Sequence, residues 1–133
     1  METKLRCIDC GRDFKPTAIY RCDRCGGLLD VVPELSSIRD IISKDTFNLR
    51  LGSVKYPYMS GVWRFRELIN PLIRDEDIIS RPEGNTNIYR HKKISRYSGI
   101  RDILLKHEGE NPTGSFKDRG MTSGLSEAKR LGM

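Results

Sequence analysis

The sequence predicts an α/β protein in which a short cysteine-bearing module precedes the start of a parallel-sheet domain. Two C-x-x-C pairs fall within the first 25 residues, which is typical of a small metal-organised unit. Residues 100–107 form an apolar-rich run consistent with a strand, and a turn containing glycine and proline follows it. From Ser115 onward, apolar residues recur at helical spacing. A strand, a turn and a helix in this order form the repeating unit of an α/β sheet.

The composition excludes several classes of protein. At 133 residues the chain is long enough for one modest domain, or for a small module and part of a larger one. Its aliphatic and aromatic content, 37% of residues, is ordinary for a folded protein, so disorder is not expected. The formal net charge of +6 would suit an anionic partner. However, the basic residues are spread along the chain, which favours an ordinary solvated surface.

Nothing in the sequence indicates secretion or membrane insertion. The segment METKLRCIDC lacks the apolar stretch of a signal peptide, and no window approaches the length of a membrane span. The cysteines are not spread in the manner of a disulfide-stabilised secreted domain. We therefore expect a cytoplasmic protein without a membrane partner.

The four cysteines predict a structural metal site. Cys7 and Cys10 form the first pair, and Cys22 and Cys25 form the second, with eleven residues between the pairs. A tight turn at each pair can direct two sulfurs at one centre, and the glycines that follow relieve crowding around the thiolates. Four thiolates suit tetrahedral Zn²⁺ and leave no open position, so we expect a structural ion rather than a catalytic one.

The first predicted unit, residues 1–32, is accordingly a zinc ribbon. Between the cysteine pairs, Ala18–Tyr20 is predicted to form a strand. The metal would fold about 30 residues that are too few to build a core of their own. Redox-active C-x-x-C pairs are the competing interpretation, but two copies at ribbon spacing favour the metal.

Residues 33–85 are predicted to form an irregular, partly helical extension. Ser36 or Ser37 can cap a short helix through residues 38–44, whose isoleucines share one face. Residues 62–69 are predicted to be helical until an Asn-Pro step ends them.

One tryptophan and two histidines could each have either a functional or a structural role. Trp63, which is followed by Arg64 and Arg66, could stack on a nucleic-acid base, but packing in the core is the simpler prediction. His91 and His107 lie in strand-like contexts without a nearby ligand set or nucleophile, and we expect both to be structural.

The third predicted unit, residues 86–133, is the incomplete start of an α/β domain. Ser115 is the predicted N-cap of its helix, and Asp118 three residues later completes a pair resembling a capping box. The apolar residues expected on one side of this helix are Phe116, Met121, Leu125, Ala128 and Leu131. Gly120 and Gly124 each cost about 1 kcal/mol of helix propensity, which close backbone contact with a sheet would explain.

Lys117 stands in the first turn of this predicted helix. Helical side chains lean toward the N-terminus, so its amine would project over the carboxyl end of the preceding strand, where open α/β folds bind ligands. The partial positive charge of a helix N-terminus disfavours a nearby ammonium, which would make a partly desolvated amine a usable nucleophile. A solvated lysine near Asp118 explains the same residues, and both interpretations are open on these grounds.

The segment ENPTGSFKDRGMT, which contains Lys117, resembles the cofactor-lysine motif of the threonine synthase family of fold-type II pyridoxal-phosphate enzymes. Three further stretches resemble that family in the same order: the double C-x-x-C with its Gly-Gly, SGVWRFREL, and EGNT before the lysine strand. Together they cover most of the chain. One departure occurs at Asn87, where the family has proline after EGNT.

The resemblance implies a fold, a cofactor and a reaction. The fold would be part of a fold-type II pyridoxal-phosphate domain preceded by the zinc ribbon. Lys117 would be the catalytic and cofactor-binding residue, holding pyridoxal 5′-phosphate as a Schiff base and then moving protons. The small-molecule substrate would be O-phospho-L-homoserine, which loses phosphate and gains water to give L-threonine. The family also implies a homodimer.

By the same resemblance, we expect this chain to be the N-terminal portion of a longer enzyme. In the family, the loop against the pyridine ring, the phosphate cradle and the partner of the pyridine nitrogen lie downstream of the lysine helix. The remainder would belong to the same protein or to a separate second chain, and the isolated 133 residues would be inactive.

Two other functions are alternatives to a threonine synthase. A related pyridoxal-phosphate-dependent amino-acid lyase or synthase would share these motifs, because the residues that set substrate choice lie downstream. A zinc-ribbon nucleic-acid-binding module would show strongly salt-dependent binding. The latter leaves SFKDRG unexplained, and basic residues do not cluster around the ribbon, so no nucleic-acid partner is expected.

Overall fold

The cysteine-bearing segment forms a small antiparallel sheet in the computed structural model, which describes residues 3–133. Its strands are β1 (Thr3–Cys7), β2 (Asp13–Phe14) and β3 (Leu29–Pro33), and β1 lies in the middle. Residues 1 and 2 of the predicted ribbon lie outside the described part of the chain.

Side-chain ion pairs hold β1 to its short partner β2. Lys4 and Arg6 both contact the Asp13 carboxylate, with N–O distances of 2.6 Å. The strand predicted at Ala18–Tyr20 is wrong, because these residues form an exposed irregular loop. The chain returns to sheet-like pairing only at an isolated bridge between Arg21 and Leu28, beside the second cysteine turn.

The middle of the chain contains short helical turns joined by irregular segments. The described elements are 3₁₀ turns at Leu35–Ile38, Trp63–Phe65 and Asp75–Asp77, and helices α1 (Lys44–Arg50) and α2 (Arg66–Ile69). The helix predicted through residues 38–44 is wrong. The carboxylate of Glu34 caps a single 3₁₀ turn there, and α1 begins later because Ser43 and Thr46 form a capping box.

Trp63 lies at the centre of the hydrophobic core. Its side chain is 0% exposed and packs with Ile73 and Ile78, with the partly buried Ile69 against them. The prediction that Trp63 belongs to the core is therefore confirmed, and no face of the ring is available for stacking on a base. The helical segment around it also ends as predicted, at Asn70.

The lysine-bearing region contains two short strands and two helices. They are β4 (Ile88–Arg90), α3 (Lys92–Ser98), β5 (Leu104–Lys106) and α4 (Asp118–Arg130). Strands β4 and β5 pair antiparallel, and β5 is shorter than the predicted run 100–107. The parallel pairing of the predicted sheet is not seen between these two strands, which pair antiparallel after α3 ends at Gly99 in the left-handed conformation. The described residues thus form a mixed α/β structure with small sheets.

Helix α4 confirms the predicted helix but differs in its start and in its buried face. Lys117 is the N-cap, and the predicted capping-box pair of Ser115 and Asp118 does not form. The buried positions are Thr122 and Ser126, whereas the apolar residues on which the amphipathic prediction rested are exposed or only partly covered: Phe116, Met121, Leu125, Ala128 and Leu131. No helix within residues 3–133 is both long enough and apolar enough to span a membrane.

Candidate functional site

The four cysteines converge on one point. Their sulfur atoms all lie within 4.8 Å of one another, with Sγ–Sγ distances of 3.4 Å from Cys7 to Cys25 and 3.6 Å from Cys10 to Cys22. A tetrahedral Zn²⁺ with bonds of about 2.3 Å to sulfur requires sulfur atoms about 3.8 Å apart. The donor set and its spacing therefore fit a zinc ion.

Glycines shape the two cysteine turns. Gly11 and Gly26 have φ values of +72° and +74°, which L-residues with side chains seldom adopt. A Cβ at Gly27 would lie 2.9 Å from the Cys7 sulfur and 2.3 Å from an Asp9 carboxylate oxygen, so a larger residue there would displace these side chains. The crowding inferred from the sequence is present at Gly27 but not at Gly11 or Gly26, where a Cβ would meet no atom within 4 Å.

The pKa values of Cys7 and Cys25 are shifted in opposite directions. The backbone hydrogen bond at Cys10 lowers the pKa of Cys7 to about 7. The pKa of Cys25 is raised to about 12 despite its hydrogen bond from the Gly27 backbone, because its side chain lies against the other sulfurs. A second thiolate beside a first is unfavourable, so four thiolates at this spacing need a cation among them.

Lys117 lies on a tightly bonded turn that leads into α4. Gly114, with φ +73°, donates its N–H to the carbonyl oxygen of Asn111 over 2.7 Å. Across the turn, the Asp118 carboxylate accepts hydrogen bonds from the Thr113 N–H at 2.8 Å and from its hydroxyl at 2.6 Å. This bond pair replaces the capping box predicted for Asp118, and the Lys117 N–H instead donates to Ser115 Oγ over 3.2 Å.

The Lys117 side chain is exposed and makes no hydrogen bond to the described residues. Lys117 thus lies at the start of the helix as predicted, but its side chain is exposed rather than partly desolvated. A cavity of about 270 Å³ lies beside this turn, and the neighbouring Thr113 and Asp118 line it. Lys117 itself is not among the residues that line this cavity.

Beyond the turn, a polar network joins α4 to two earlier loops. The guanidinium of Arg119 donates to both carboxylate oxygens of Glu108, at 2.7 Å and 2.9 Å, and to Thr86 Oγ at 3.2 Å. The Thr86 hydroxyl donates to Glu108 at 2.8 Å, and Asn111 Nδ2 donates to it at 3.0 Å. Asn111 Oδ1 also accepts a hydrogen bond from the Gly84 N–H over 2.9 Å, which joins the EGNT loop to this network.

The EGNT loop also packs directly against the SGVW segment. The Gly61 N–H donates to the carbonyl oxygen of Glu83 over 2.7 Å, and a Cβ at Gly61 would lie 2.1 Å from the Asn85 nitrogen. The Glu83 carboxylate is buried and accepts hydrogen bonds from the hydroxyls of Ser60 and Ser80. These contacts place the two motifs side by side beneath the lysine turn.

At Asn87, the position where the chain departs from the family pattern, the backbone N–H is used. It donates to Glu110 over 2.6 Å, and the Asn87 side chain donates to the same carboxylate over 3.2 Å. Proline has no N–H, so it could not make the first of these bonds. The departure at Asn87 thus coincides with a local bond pair that a proline would break.

Sequence reasoning missed the network residues and found only the lysine they surround. These residues are Glu83, Thr86, Glu108, Asn111 and Arg119. All of them lie inside or beside the quoted motifs, which was the available signal. Arg119 bonds to Glu108 and Thr86, which are 11 and 33 positions away in the chain, so spacing alone could not pair them. The two histidines, predicted to be structural, are exposed and belong to neither cluster.

Known proteins resemble this chain over most of its length. Residues 79–132 match the protein family described as "Pyridoxal-phosphate dependent enzyme". Threonine synthase of Methanocaldococcus jannaschii is 40% identical over 129 residues, which are 96% of this chain and 29% of the relative. Threonine synthase of Methanosarcina acetivorans is 40% identical over 130 residues, 97% of this chain and 29% of the relative.

A plant relative has the same pattern of similarity. Threonine synthase 2, chloroplastic, of Arabidopsis thaliana is 37% identical over 117 residues, which are 85% of this chain and 22% of the relative. The chain thus spans less than a third of the length of these relatives. The comparisons do not favour a nucleic-acid-binding module or a different pyridoxal-phosphate enzyme.

Proposed function

We propose that this chain, which belongs to the family of pyridoxal-phosphate dependent enzymes, forms part of a threonine synthase in which Lys117 holds the cofactor. The observation that carries the proposal is the exposed amine of Lys117 on a turn that is hydrogen-bonded internally and anchored at both ends. The substrate would be O-phospho-L-homoserine, which reacts with water to give L-threonine and phosphate.

The residues of this chain would contribute binding and proton transfer. Pyridoxal phosphate, when bound, supplies an electron sink for negative charge on the substrate carbons. Lys117 would hold the cofactor through its amine, and the same amine would accept and return substrate protons.

The cysteine cluster would bind one structural Zn²⁺ through Cys7, Cys10, Cys22 and Cys25. Four sulfur donors complete a tetrahedron, so the ion would have no position for substrate. Its role would be to hold together a sheet of three short strands that has almost no hydrophobic core. Apart from the cysteines, Leu5 is the buried apolar residue of the described part of this sheet. Thiolate ligands persist in reducing compartments, which supports a cytoplasmic location. It stays a prediction that the complete protein is a homodimer, and that a separate second chain could supply the remainder of the enzyme.

The proposal for Lys117 is tested by reductive trapping. The protein is incubated with pyridoxal phosphate, reduced with borohydride, digested and analysed by mass spectrometry. We expect one cofactor adduct, on Lys117, and its loss in Lys117→Arg, because arginine retains the charge but cannot form the bond. Lys92 is the matched control, since it is also an exposed lysine at the start of a helix. Equal labelling of Lys92 and Lys117 would refute the assignment.

A further inference from the structure

We propose that Arg119, acting through Glu108, is the positioning residue that fixes the Lys117 turn. Its part in cofactor capture rests on the function proposed above, whereas its effect on the order of the turn does not. Arg119 lies two residues after Lys117, and its guanidinium points away from the lysine into the network of Thr86, Glu108 and Asn111.

Hydrogen bonds from the network hold the lysine turn at both of its ends. On the N-terminal side, Asn111 is buried and bonds to Glu108 at 3.0 Å and to the Gly84 N–H at 2.9 Å. On the C-terminal side, Arg119 bonds to both oxygens of the same carboxylate. Glu108 is therefore the common anchor for the residues that enter and leave the turn.

Both carboxylate oxygens of Glu108 are fully used by this arrangement. One accepts from Arg119 Nη2 at 2.9 Å and from the Thr86 hydroxyl at 2.8 Å. The other accepts from Arg119 Nε at 2.7 Å and from Asn111 Nδ2 at 3.0 Å. A planar guanidinium can make two parallel bonds while also reaching Thr86, whereas a lysine ammonium is a single point charge. The site consequently requires arginine for geometry as well as for charge.

A second ion pair in the molecule separates this role from a general contribution to stability. Arg50 and Glu67 form an equally short bidentate pair, with both N–O distances 2.8 Å, and are similarly sheltered from solvent. That pair joins α1 to α2 and has no bond to the lysine turn. Breaking either pair should lower stability, but only the Arg119 pair should loosen the turn.

Loosening the turn should reduce how often the amine is presented correctly. Misplacement of a reacting group by about 1 Å can reduce a rate by about 100-fold. The turn's own bonds, between Thr113 and Asp118 and between Gly114 and Asn111, cannot fix its orientation relative to the rest of the molecule. The nearest bonds that tie the turn to other segments are the Asn111–Gly84 bond and the bonds from Asn111 and Arg119 to Glu108.

The test compares Arg119→Gln and Arg119→Lys with Arg50→Gln and Arg50→Lys. Hydrogen exchange is measured at the Thr113, Gly114 and Lys117 amides, and the rate of borohydride-trapped labelling of Lys117 by pyridoxal phosphate is measured in parallel. We expect both Arg119 variants to exchange faster at the turn and to label Lys117 about tenfold or more slowly. The Arg50 variants should stay within about twofold of the unaltered protein. Arg119→Lys keeps a cation, so it provides a folded variant if Arg119→Gln does not fold.

The possible results separate the two proposals. If the unaltered protein does not label Lys117, the proposed function fails, and the exchange rates alone decide the role of Arg119. If Lys117 is labelled but the Arg119 and Arg50 variants change the turn's exchange equally, Arg119 is a structural residue only and the inference is wrong. Turn-specific exchange with normal labelling would also overturn its part in cofactor capture.

Discussion

At the residue scale, the position of Trp63 shows how one side chain combines apolar and polar interactions. The indole is fully buried among isoleucines, and its Nε1–H donates to Thr122 Oγ over 2.8 Å. The Thr122 hydroxyl in turn donates to the carbonyl oxygen of Ile79 over 2.6 Å. A buried indole N–H that loses its partner is costly, and this chain of bonds supplies one that links the core to α4.

We predict that Trp63→Phe lowers the free energy of unfolding by about 1–3 kcal/mol, because the substitution removes this hydrogen bond and leaves a small cavity. Urea unfolding followed by circular dichroism measures the change. Thr122→Ser is the control, since it keeps the hydroxyl and should cost about 1 kcal/mol or less. Equal stability of Trp63→Phe and the unaltered protein would contradict the role given to the bond.

The hydrogen bonds of Glu108 predict that the stability of the folded protein depends on pH. Hydrogen bonds from Arg119 and then from Thr86 lower the pKa of Glu108 to about 2, from the ordinary value of 4.5. Because the folded pKa is the lower one, folding favours the carboxylate. The resulting stabilisation is present above about pH 4.5 and is lost as the pH falls toward about 2.

We therefore expect Glu108→Gln to be less stable than the unaltered protein at pH 6, with the difference shrinking between pH 4.5 and pH 2. Denaturant unfolding at a series of pH values measures this convergence. Asp102→Asn is the control, because its carboxylate is exposed and lies 4.0 Å from the nearest cation. A constant difference between Glu108→Gln and the unaltered protein across this range would contradict the interpretation.

At the element scale, α4 is anchored by polar contacts. Ser126 Oγ accepts the Ile79 N–H over 2.8 Å, while Ser126 and Thr122 lie one turn apart on the buried face. The sequence periodicity pointed instead to the apolar side of the helix, where Met121 is 55% exposed. Hydroxyls four residues apart can bind a passing backbone segment, so burial of this face follows from hydrogen bonding rather than from hydrophobicity.

The two glycines inside α4 have no packing role within the described structure. A Cβ at Gly120 or Gly124 would meet no atom within 4 Å, which differs from the close sheet contact expected from the sequence. We predict that Gly120→Ala and Gly124→Ala each raise the free energy of unfolding by about 0.5–1 kcal/mol through helix propensity. Thermal and urea unfolding measure the gain.

Gly61→Ala is the opposite case among the glycines. Its Cβ would lie 2.1 Å from the Asn85 nitrogen, so the SGVW segment and the EGNT loop would have to separate. We expect a loss of about 2 kcal/mol or more, measured in the same unfolding experiment. Destabilisation by Gly124→Ala of similar size would show that α4 does pack closely against another surface.

At the scale of the whole molecule, the cysteine module and the tryptophan core are organised separately. The module's sheet is held by its own strand pairing and by the cysteine turns. Leu5 and Val31 of the module line one cavity of about 260 Å³ together with Ile69 and Leu72 of the rest of the chain. We expect that the module can lose its structure without disrupting the core around Trp63, because its strands pair only with one another.

We predict that the protein binds one Zn²⁺ per chain and that chelation unfolds the module alone. Metal analysis measures the stoichiometry, and limited proteolysis should cut within residues 11–33 only after chelation. Because Trp63 is the single tryptophan, its fluorescence should stay that of a buried indole. Absence of zinc, with four thiols that react freely before chelation, would contradict the metal site.

Features that depend on neighbouring residues can be predicted from the amino-acid sequence. The spacing of the four cysteines predicted a cluster, and the structure brings their sulfurs within 4.8 Å of one another. Trp63 was assigned to the core and Lys117 to the start of a helix, and both residues lie there. Turn chemistry and helical period act over a few residues, so they can be interpreted without knowing the fold.

Only the tertiary structure decided which distant groups meet. The bonds from Arg119 to Thr86 and Glu108, the polar buried face of α4 and the antiparallel pairing of β4 with β5 join segments that no local period connects. These choices depend on satisfying buried donors and acceptors after the chain has folded back on itself. The lysine was visible in the sequence because its motif is local, whereas the network that holds its turn spans 33 positions and forms only in the folded protein.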